Sequence, residues 1–203
     1  AAIKPYEKEV SIAAINGVNS IVISGKSQGV REAISTLEAE GIKTKKLNVS
    51  HAFHSPLMEP MLADFQQVAA EITYSLPKIN LISNLTGEIA TSEIATPEYW
   101  CRHVRQAVKF AQSMETLFQQ GYEVFLEIGP KPTLLGMGRG NFDLQISGSQ
   151  LNNNGKFLES SPTIQNPKSK IQNPKSLWLV SLYPGREDWQ QMLHGLATLY
   201  VCG

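Results

Sequence analysis

Apolar positions along the chain fall into short runs separated by turn-forming residues. Val10-Ser11-Ile12-Ala13-Ala14-Ile15 stops at Asn16-Gly17, and Ser20-Ile21-Val22-Ile23-Ser24 stops at Gly25. Two β-rich runs joined by Asn-Gly-Val-Asn predict a hairpin with a slightly long loop. Between Gly29 and Glu40, Val30, Ala33, Ile34, Leu37 and Ala39 recur at helical spacing, and Gly41 sits where a helix stops. Ile42 to Val49 then mixes Ile42, Leu47 and Val49 with three lysines, as a half-exposed strand over 42–49 would. The order β-β-α-β is most of a small split sheet, whose opening elements are expected upstream.

Further on, Leu57, Met58, Met61, Leu62, Phe65, Val68, Ala69 and Ile72 form one stripe, so 57–72 is expected to be a helix starting at Ser55-Pro56. Ile79 to Asn84 is a short apolar strand in this reading. A stripe from Trp100 through Val104, Val108, Ala111 and Met114 to Phe118 predicts one long helix from Pro97 to about Gln120. Val124 to Ile128 is expected to be a buried strand ending at Gly129-Pro130, with a short helix from about Thr133. Between Arg139 and Ser176 the pattern gives way to Asn, Gln, Ser, Gly and Pro. Two identical hexapeptides, Ile164-Gln-Asn-Pro-Lys-Ser169 and Ile171-Gln-Asn-Pro-Lys-Ser176, lie inside. Units that polar cannot bury a core, so 139–176 is expected to be an unstructured insertion. Order resumes at Leu177-Trp178-Leu179-Val180. Asp188 is then placed to cap a helix carrying Trp189, Leu193, Leu196 and Tyr200.

Composition narrows the function classes. The 203 residues hold 18 Lys+Arg and 18 Asp+Glu, and 42% are apolar, which supports a packed core. Balanced charge removes the general electrostatic case for nucleic acid or an anionic membrane as partner. Cys101 and Cys202 make neither a disulfide framework nor a CxxC metal site, which suits a reducing, cytoplasmic compartment. No apolar run approaches the ~20 residues a membrane span needs. The first residues, Ala1-Ala2-Ile3-Lys4-Pro5, read like a cut made inside a longer chain.

The richest candidate for chemistry is His51-Ala52-Phe53-His54-Ser55-Pro56, with two histidines three apart where a strand is expected to give way to a helix. Such junctions expose side chains on a rigid scaffold, although a histidine among apolar neighbours is as readily a packed or capping residue. No metal site is expected, because His103 and His194 are distant in sequence and no Cys or Asp spacing completes a ligand set. Gly25-Lys26-Ser27-Gln28-Gly29 matches the G-x-S-x-G of a nucleophile elbow, with His54 as its conceivable base. The simpler reading makes Ser27 a helix cap. A phosphate-binding loop is excluded, since its leading glycine would fall at Ser20. Glu127-Ile128-Gly129-Pro130 could offer a backbone carbonyl to orient a histidine, or be a plain turn. Asn84, in Ser83-Asn84-Leu85-Thr86-Gly87, reads first as a turn former.

Taken in order, Val10–Gly17, Val22–Gly25, His51–Pro60, Ser83–Gly87, Pro97–Phe110 and Phe125–Pro130 resemble the C-terminal part of a polyketide synthase acyltransferase domain, similar to malonyl-CoA:acyl carrier protein transacylases. Leu182–Trp189 resembles the linker that follows such domains. The resemblance implies an α/β fold: part of an α/β-hydrolase-like core with a ferredoxin-like small subdomain. On it, 8–50 is the partial small subdomain and 51–138 the C-terminal part of the core. The polar insertion at 139–176 lies outside the family pattern, and 177–203 is the linker segment.

The same resemblance implies transfer of a malonyl group from coenzyme A to the phosphopantetheine thiol of an acyl carrier protein, by a Ser/His ping-pong route with no bound cofactor. His54 would be the catalytic histidine, oriented by a carbonyl from Ile128-Gly129-Pro130, with Asn84 near the pocket. His51, Ala52 and Phe53 would set substrate choice. His-Ala-Phe-His resembles the malonyl-selective form, whereas methylmalonyl-selective members usually carry Tyr-Ala-Ser-His. The family's nucleophile sits in a Gly-His-Ser-x-Gly elbow, and no such string occurs here. Ser27 would fall in a variable loop of the small subdomain. The expectation is therefore a fragment of a malonyl-selective acyltransferase, inactive alone, whose partners are malonyl-CoA, acyl carrier protein and adjacent synthase domains or a missing N-terminal half. The alternatives are a non-catalytic interaction module derived from such a domain and, more remotely, a serine hydrolase using Ser27 and His54.

Overall fold

The computed structural model describes residues 2–146 and 176–202. They belong to two compact units, Ala1–Thr116 and Leu117–Gly203. Helix and strand are mixed throughout, as the α/β expectation requires.

In the first unit, β1 (Val10–Gly17) and β2 (Ser20–Gly25) form the expected antiparallel hairpin. The loop is tighter than anticipated, because Gly17 pairs with Ser20 and only Val18-Asn19 turn the chain. Helix α1 (Ser27–Ala39) follows, and Gly41 beyond it takes a left-handed φ of 79°. Val10, Ala13 and Ala33 are buried.

Gly25 and Gly29 are fixed by this packing. A Cβ on Gly25 would run into the Glu9 carbonyl oxygen and lie 2.7 Å from Val10 Cα. A Cβ on Gly29 would lie 2.8 Å from Val10 Cγ2. No backbone can approach so closely past a side chain.

The strand expected over 42–49 does not form. That stretch is almost wholly exposed and makes no ladder, so the hairpin stays two-stranded. A strand-like mix of apolar and charged residues supplies no partner to pair with. The helix expected over 57–72 is present but divided, a 3₁₀ segment (Pro56–Met61) leading into α2 (Leu62–Ala70). Pro60 lacks an N–H and prevents a continuous α-helical ladder. Ser55, fully buried, accepts from the Leu57 N–H (3.2 Å) and starts the segment. The strand expected at 79–84 is reduced to a single bridge, Ile82 to Ile89, around the turn 83–87, where Gly87 has a φ of 79°.

The largest departure concerns the long helix. It is two helices, α3 (Pro97–Arg105) and α4 (Phe110–Gln119). Thr96 caps α3, its Oγ1 accepting from the Tyr99 N–H, and Pro97 takes the first position. At Gln106 the backbone turns extended (φ −91°, ψ 161°). Val108 then joins β1 in parallel: its N–H donates to the Ala13 carbonyl (2.9 Å), and its own carbonyl accepts from Ile15 N–H (2.8 Å).

In the second unit, β3 (Val124–Glu127) pairs in parallel with β4 (Leu177–Val180). Phe125 and Trp178 are register partners and stack at 4.3 Å, with Phe118 edge-on to both. Only one face of β3 is covered, since Val124, Leu126 and Ile128 are exposed; the strand expected to be buried is half-buried. Helix α5 (Leu134–Ile146) starts near the expected point, its first N–H groups donating to the Glu127 carboxylate. It continues through 139–146, so the insertion expected from Arg139 begins as helix. The rest of that segment, with both hexapeptides except Ser176, lies outside the described residues. Helix α6 (Asp188–Cys202) is present as expected, but the side chain accepting from its first turn is Glu187, through Gln190 N–H (2.6 Å), rather than Asp188. Trp189, Leu193, Leu196 and Tyr200 are exposed along it.

Gly25→Ala is expected to destabilise the chain by more than about 1 kcal/mol, because an alanine there cannot avoid the Glu9–Val10 backbone. Gly129→Ala, where a Cβ meets nothing within 4 Å, serves as the control and should leave the melting temperature unchanged. Equal melting curves for the two variants would contradict the packing account.

Candidate active site

His54 lies between the exposed stretch that follows α1 and the 3₁₀ segment at Pro56. Its φ is 59°, the one positive value at a non-glycine position among the described residues. A left-handed backbone at a residue with a Cβ costs about 1–3 kcal/mol and persists only where surrounding bonds over-determine it.

Three bonds do so here. The His54 N–H donates to the Val104 carbonyl (3.0 Å), and the His54 carbonyl accepts from Ser11 Oγ (2.7 Å). The ring Nδ1 lies 2.7 Å from the Gln106 carbonyl oxygen. A carbonyl can only accept, so Nδ1 carries the proton and Nε2 is left as the basic nitrogen.

Both carbonyls from the 104–106 stretch are available because α3 ends at Arg105. The last carbonyls of a helix have no intrahelical partner, and the chain leaves the helical path before a following turn could use them. Residue His103 belongs to the same helix end. Its ring meets His54 edge-on at 6.1 Å between centroids, stacks on Tyr99 at 5.9 Å and tilts against Trp100 at 5.7 Å. Tyr99 is buried and its hydroxyl is bonded to Ser83 Oγ (2.7 Å). Burial first, and then the charge His54 can carry, push the His103 pKa below its ordinary value.

The family model for the acyl transferase domain matches residues 2–171. The chain belongs to the acyl transferase domain family. Over 130 residues it is 45% identical to polyketide synthase GfsA of Streptomyces halstedii, a match covering 64% of this chain and 2% of that one. Over 127 residues it is 47% identical to the mycoketide-CoA synthase of Mycobacterium tuberculosis, covering 63% of this chain and 3% of the other. The acyltransferase domain from the second module of the salinomycin polyketide synthase superposes with a TM-score of 0.79 at 35% identity, over 98% of this chain and 40% of that one. The malonyl CoA-acyl carrier protein transacylase of Clostridium perfringens shares the fold, with a TM-score of 0.72 at 21% identity, over 98% and 52%. The chain thus spans two-fifths to about half of these solved neighbours and a few per cent of the synthases.

Among acyltransferase site residues expected from sequence, His54 has its ring carbonyl partner within the first unit, at Gln106, while Ile128-Gly129-Pro130 belongs to the second unit. The Gly129 carbonyl accepts instead from Ser181 Oγ (3.3 Å), and its N–H donates to the same hydroxyl (2.9 Å). Asn84 is exposed. Its carbonyl accepts from Lys109 N–H (2.8 Å) and its side chain from Ser113 Oγ, which ties it to the start of α4. His51 and Phe53 are exposed neighbours with rings 5.8 Å apart, and Ala52 accepts from Ser55 Oγ (2.6 Å).

Ser27 is not the expected cap. Lys26 holds the N-cap position without a side-chain capping bond, and Ser27 is the exposed first residue of α1 with no positive φ. The strained turn of a nucleophile elbow is therefore missing from Ser27. Sequence reasoning gave Gln106, Val104, Ser11 and His103 no part in the site, although all four lie in segments that carry the family resemblance. Among the described residues no group of three or more His, Cys, Asp and Glu could hold a metal, and no helix is long and apolar enough to cross a membrane.

The lowered pKa of His103 has a stability consequence. The unfolded imidazole titrates at its ordinary 6.5, the folded one at lower pH, so between the two the unfolded chain holds the extra proton. Stability is complete above pH 6.5 and falls as the pH drops below it. The melting temperature should therefore decline on acidification from pH 7.5, and less steeply in His103→Gln. Parallel slopes would remove His103 as the source.

Proposed function

We propose that this chain carries the general base of a malonyl transfer reaction, in which the acyl group passes from coenzyme A to the phosphopantetheine thiol of an acyl carrier protein. The observation that carries this reading is the His54 Nδ1–H to Gln106 bond, which fixes the tautomer and leaves Nε2 as base. The nucleophilic serine is assigned to polypeptide outside these 203 residues. Exposed apolar side chains on β3 and α6 support a role beside further protein.

In the first half-reaction, Nε2 takes the serine proton as Oγ attacks the thioester carbon. The carbon–sulfur bond breaks, and the sulfur leaves with that proton as free coenzyme A. In the second, Nε2 takes the proton of the phosphopantetheine thiol. The sulfur attacks the serine ester, and the serine oxygen departs with the proton restored. Proton counts balance, and His54 ends each half as it began. Phe53 beside His51 is read as the selectivity residue, since a phenyl ring crowds an α-methyl branch that serine would admit.

The test combines this chain with a polypeptide carrying a Gly-His-Ser-x-Gly elbow and measures radiolabelled malonyl transfer. His54→Ala should lower the rate by about 10²–10⁴-fold. Wild-type transfer by that variant would leave the interaction-module reading in place. Phe53→Ser should raise methylmalonyl use relative to malonyl by about tenfold, the scale of a methyl-sized steric difference. An unchanged ratio would sink the steric account.

A further inference from the structure

The three bonds that hold His54 come from two directions. Val104 and Gln106 offer carbonyls from the end of α3. The third, Ser11 Oγ to the His54 carbonyl at 2.7 Å, comes from β1, 43 residues earlier in the chain. Ser11 is the second residue of that strand and pairs with Ser24 across the hairpin. Only two and four residues further along, Ala13 and Ile15 hold Val108 through its backbone. One strand therefore grips both sides of the site: the segment presenting the Gln106 carbonyl, and the peptide of the histidine that uses it.

We propose that Ser11 is a positioning residue for His54. Rotating a left-handed residue back toward the ordinary region turns its own carbonyl and its side chain together, because both are fixed to one Cα. A hydroxyl bonded to that carbonyl resists the rotation. It thereby keeps Nδ1 within reach of Gln106 and Nε2 in a single direction. Without it, Val104 and Gln106 hold the N–H and the ring from one side alone, and the His54 carbonyl loses the bond that fixes its direction. The hairpin and the base are coupled through this contact, so the small sheet acts as a backstop to the histidine. The catalytic importance of that positioning rests on His54 being the base proposed above; the structural coupling does not.

The experiment follows the His54 ring by nitrogen-15 NMR in the 203-residue chain, comparing wild type with Ser11→Val, Ser11→Ala and Ser11→Thr. The tautomer is read from the Nδ1 and Nε2 shifts, and exchange of the Nδ1 proton from its linewidth. Wild type and Ser11→Thr should show a single Nδ1–H tautomer. In Ser11→Val and Ser11→Ala the proton should exchange about tenfold faster, the factor expected from losing one net hydrogen bond, and the tautomers should begin to mix. A loss of packing alone would lower the melting temperature without changing the tautomer, and would not be restored by threonine. Unchanged ring shifts and exchange in both hydroxyl-free variants would overturn the proposal. If Ser11→Val does not fold, Ser11→Ala decides. His54→Ala remaining active in malonyl transfer, with the NMR result intact, would remove the catalytic reading and leave the coupling.

Discussion

A helix that stops early governs the first unit. Were α3 and α4 one helix, the carbonyls of Val104 and Gln106 would accept from N–H groups four residues on, and neither would be free for His54. Val108 would have no extended backbone to offer β1. Instead the chain leaves helical geometry over four residues, and several of the backbone groups released find other partners. Gln106 N–H keeps its helical bond to Arg102, Val108 is held on both sides by β1, and Lys109 N–H donates to Asn84. Each bond is worth only about 1 kcal/mol net, but leaving a buried partner unmade costs about 1–3 kcal/mol. The break is therefore stable only with the hairpin, the turn at 83–87 and the His54 loop all in place.

This mutual dependence explains what could be read from the chain beforehand. The hairpin and α1 were legible because their signals are local: period-two runs, an Asn-Gly turn, a 3.6-residue stripe and a stop glycine. Division of the 57–72 helix had a local signal in Pro60, which the expectation of one continuous stripe passed over. Nothing announces the break after Arg105. Val104, Val108 and Ala111 continue a helical stripe with no glycine or proline between them, and Val108 serves a strand as well as it would serve a helix. What decides is a backbone partner on β1, nearly a hundred residues earlier. Segments 42–49 and 79–84 failed in the opposite sense, having the composition of strands but, among the described residues, no neighbouring strand beyond the Ile82–Ile89 bridge.

At the site, residue identity was more legible than geometry. The His-Ala-Phe-His string marked His54, but the orienting carbonyl was sought at the next conspicuous motif, Glu-Ile-Gly-Pro. That motif has a different structural employment. Glu127 receives three N–H groups from the start of α5, and Gly129 is tied to Ser181 on both its polar atoms. A backbone carbonyl carries no side-chain signature. Gln106 could equally have been Ala or Lys for this purpose, so no string could have pointed to it.

The location of strain separates two readings that the sequence left side by side. A serine nucleophile on an elbow and a histidine base on a clamped loop each need a side chain projected from an unfavourable backbone. Gly25-Lys26-Ser27-Gln28-Gly29 has the spelling of the elbow, yet its two glycines are accounted for by close contact with Glu9 and Val10, and Ser27 enters an ordinary helix. His54 has no glycine beside it and nonetheless adopts the left-handed region, held there by bonds from two separate elements. Glycines that relieve crowding explain themselves by packing. A histidine held against its own backbone preference by three bonds is not explained by packing, since an asparagine or glycine would adopt that turn more readily. What those residues would not supply is an imidazole with Nδ1 committed and Nε2 in reserve, which is what the role proposed for His54 calls for.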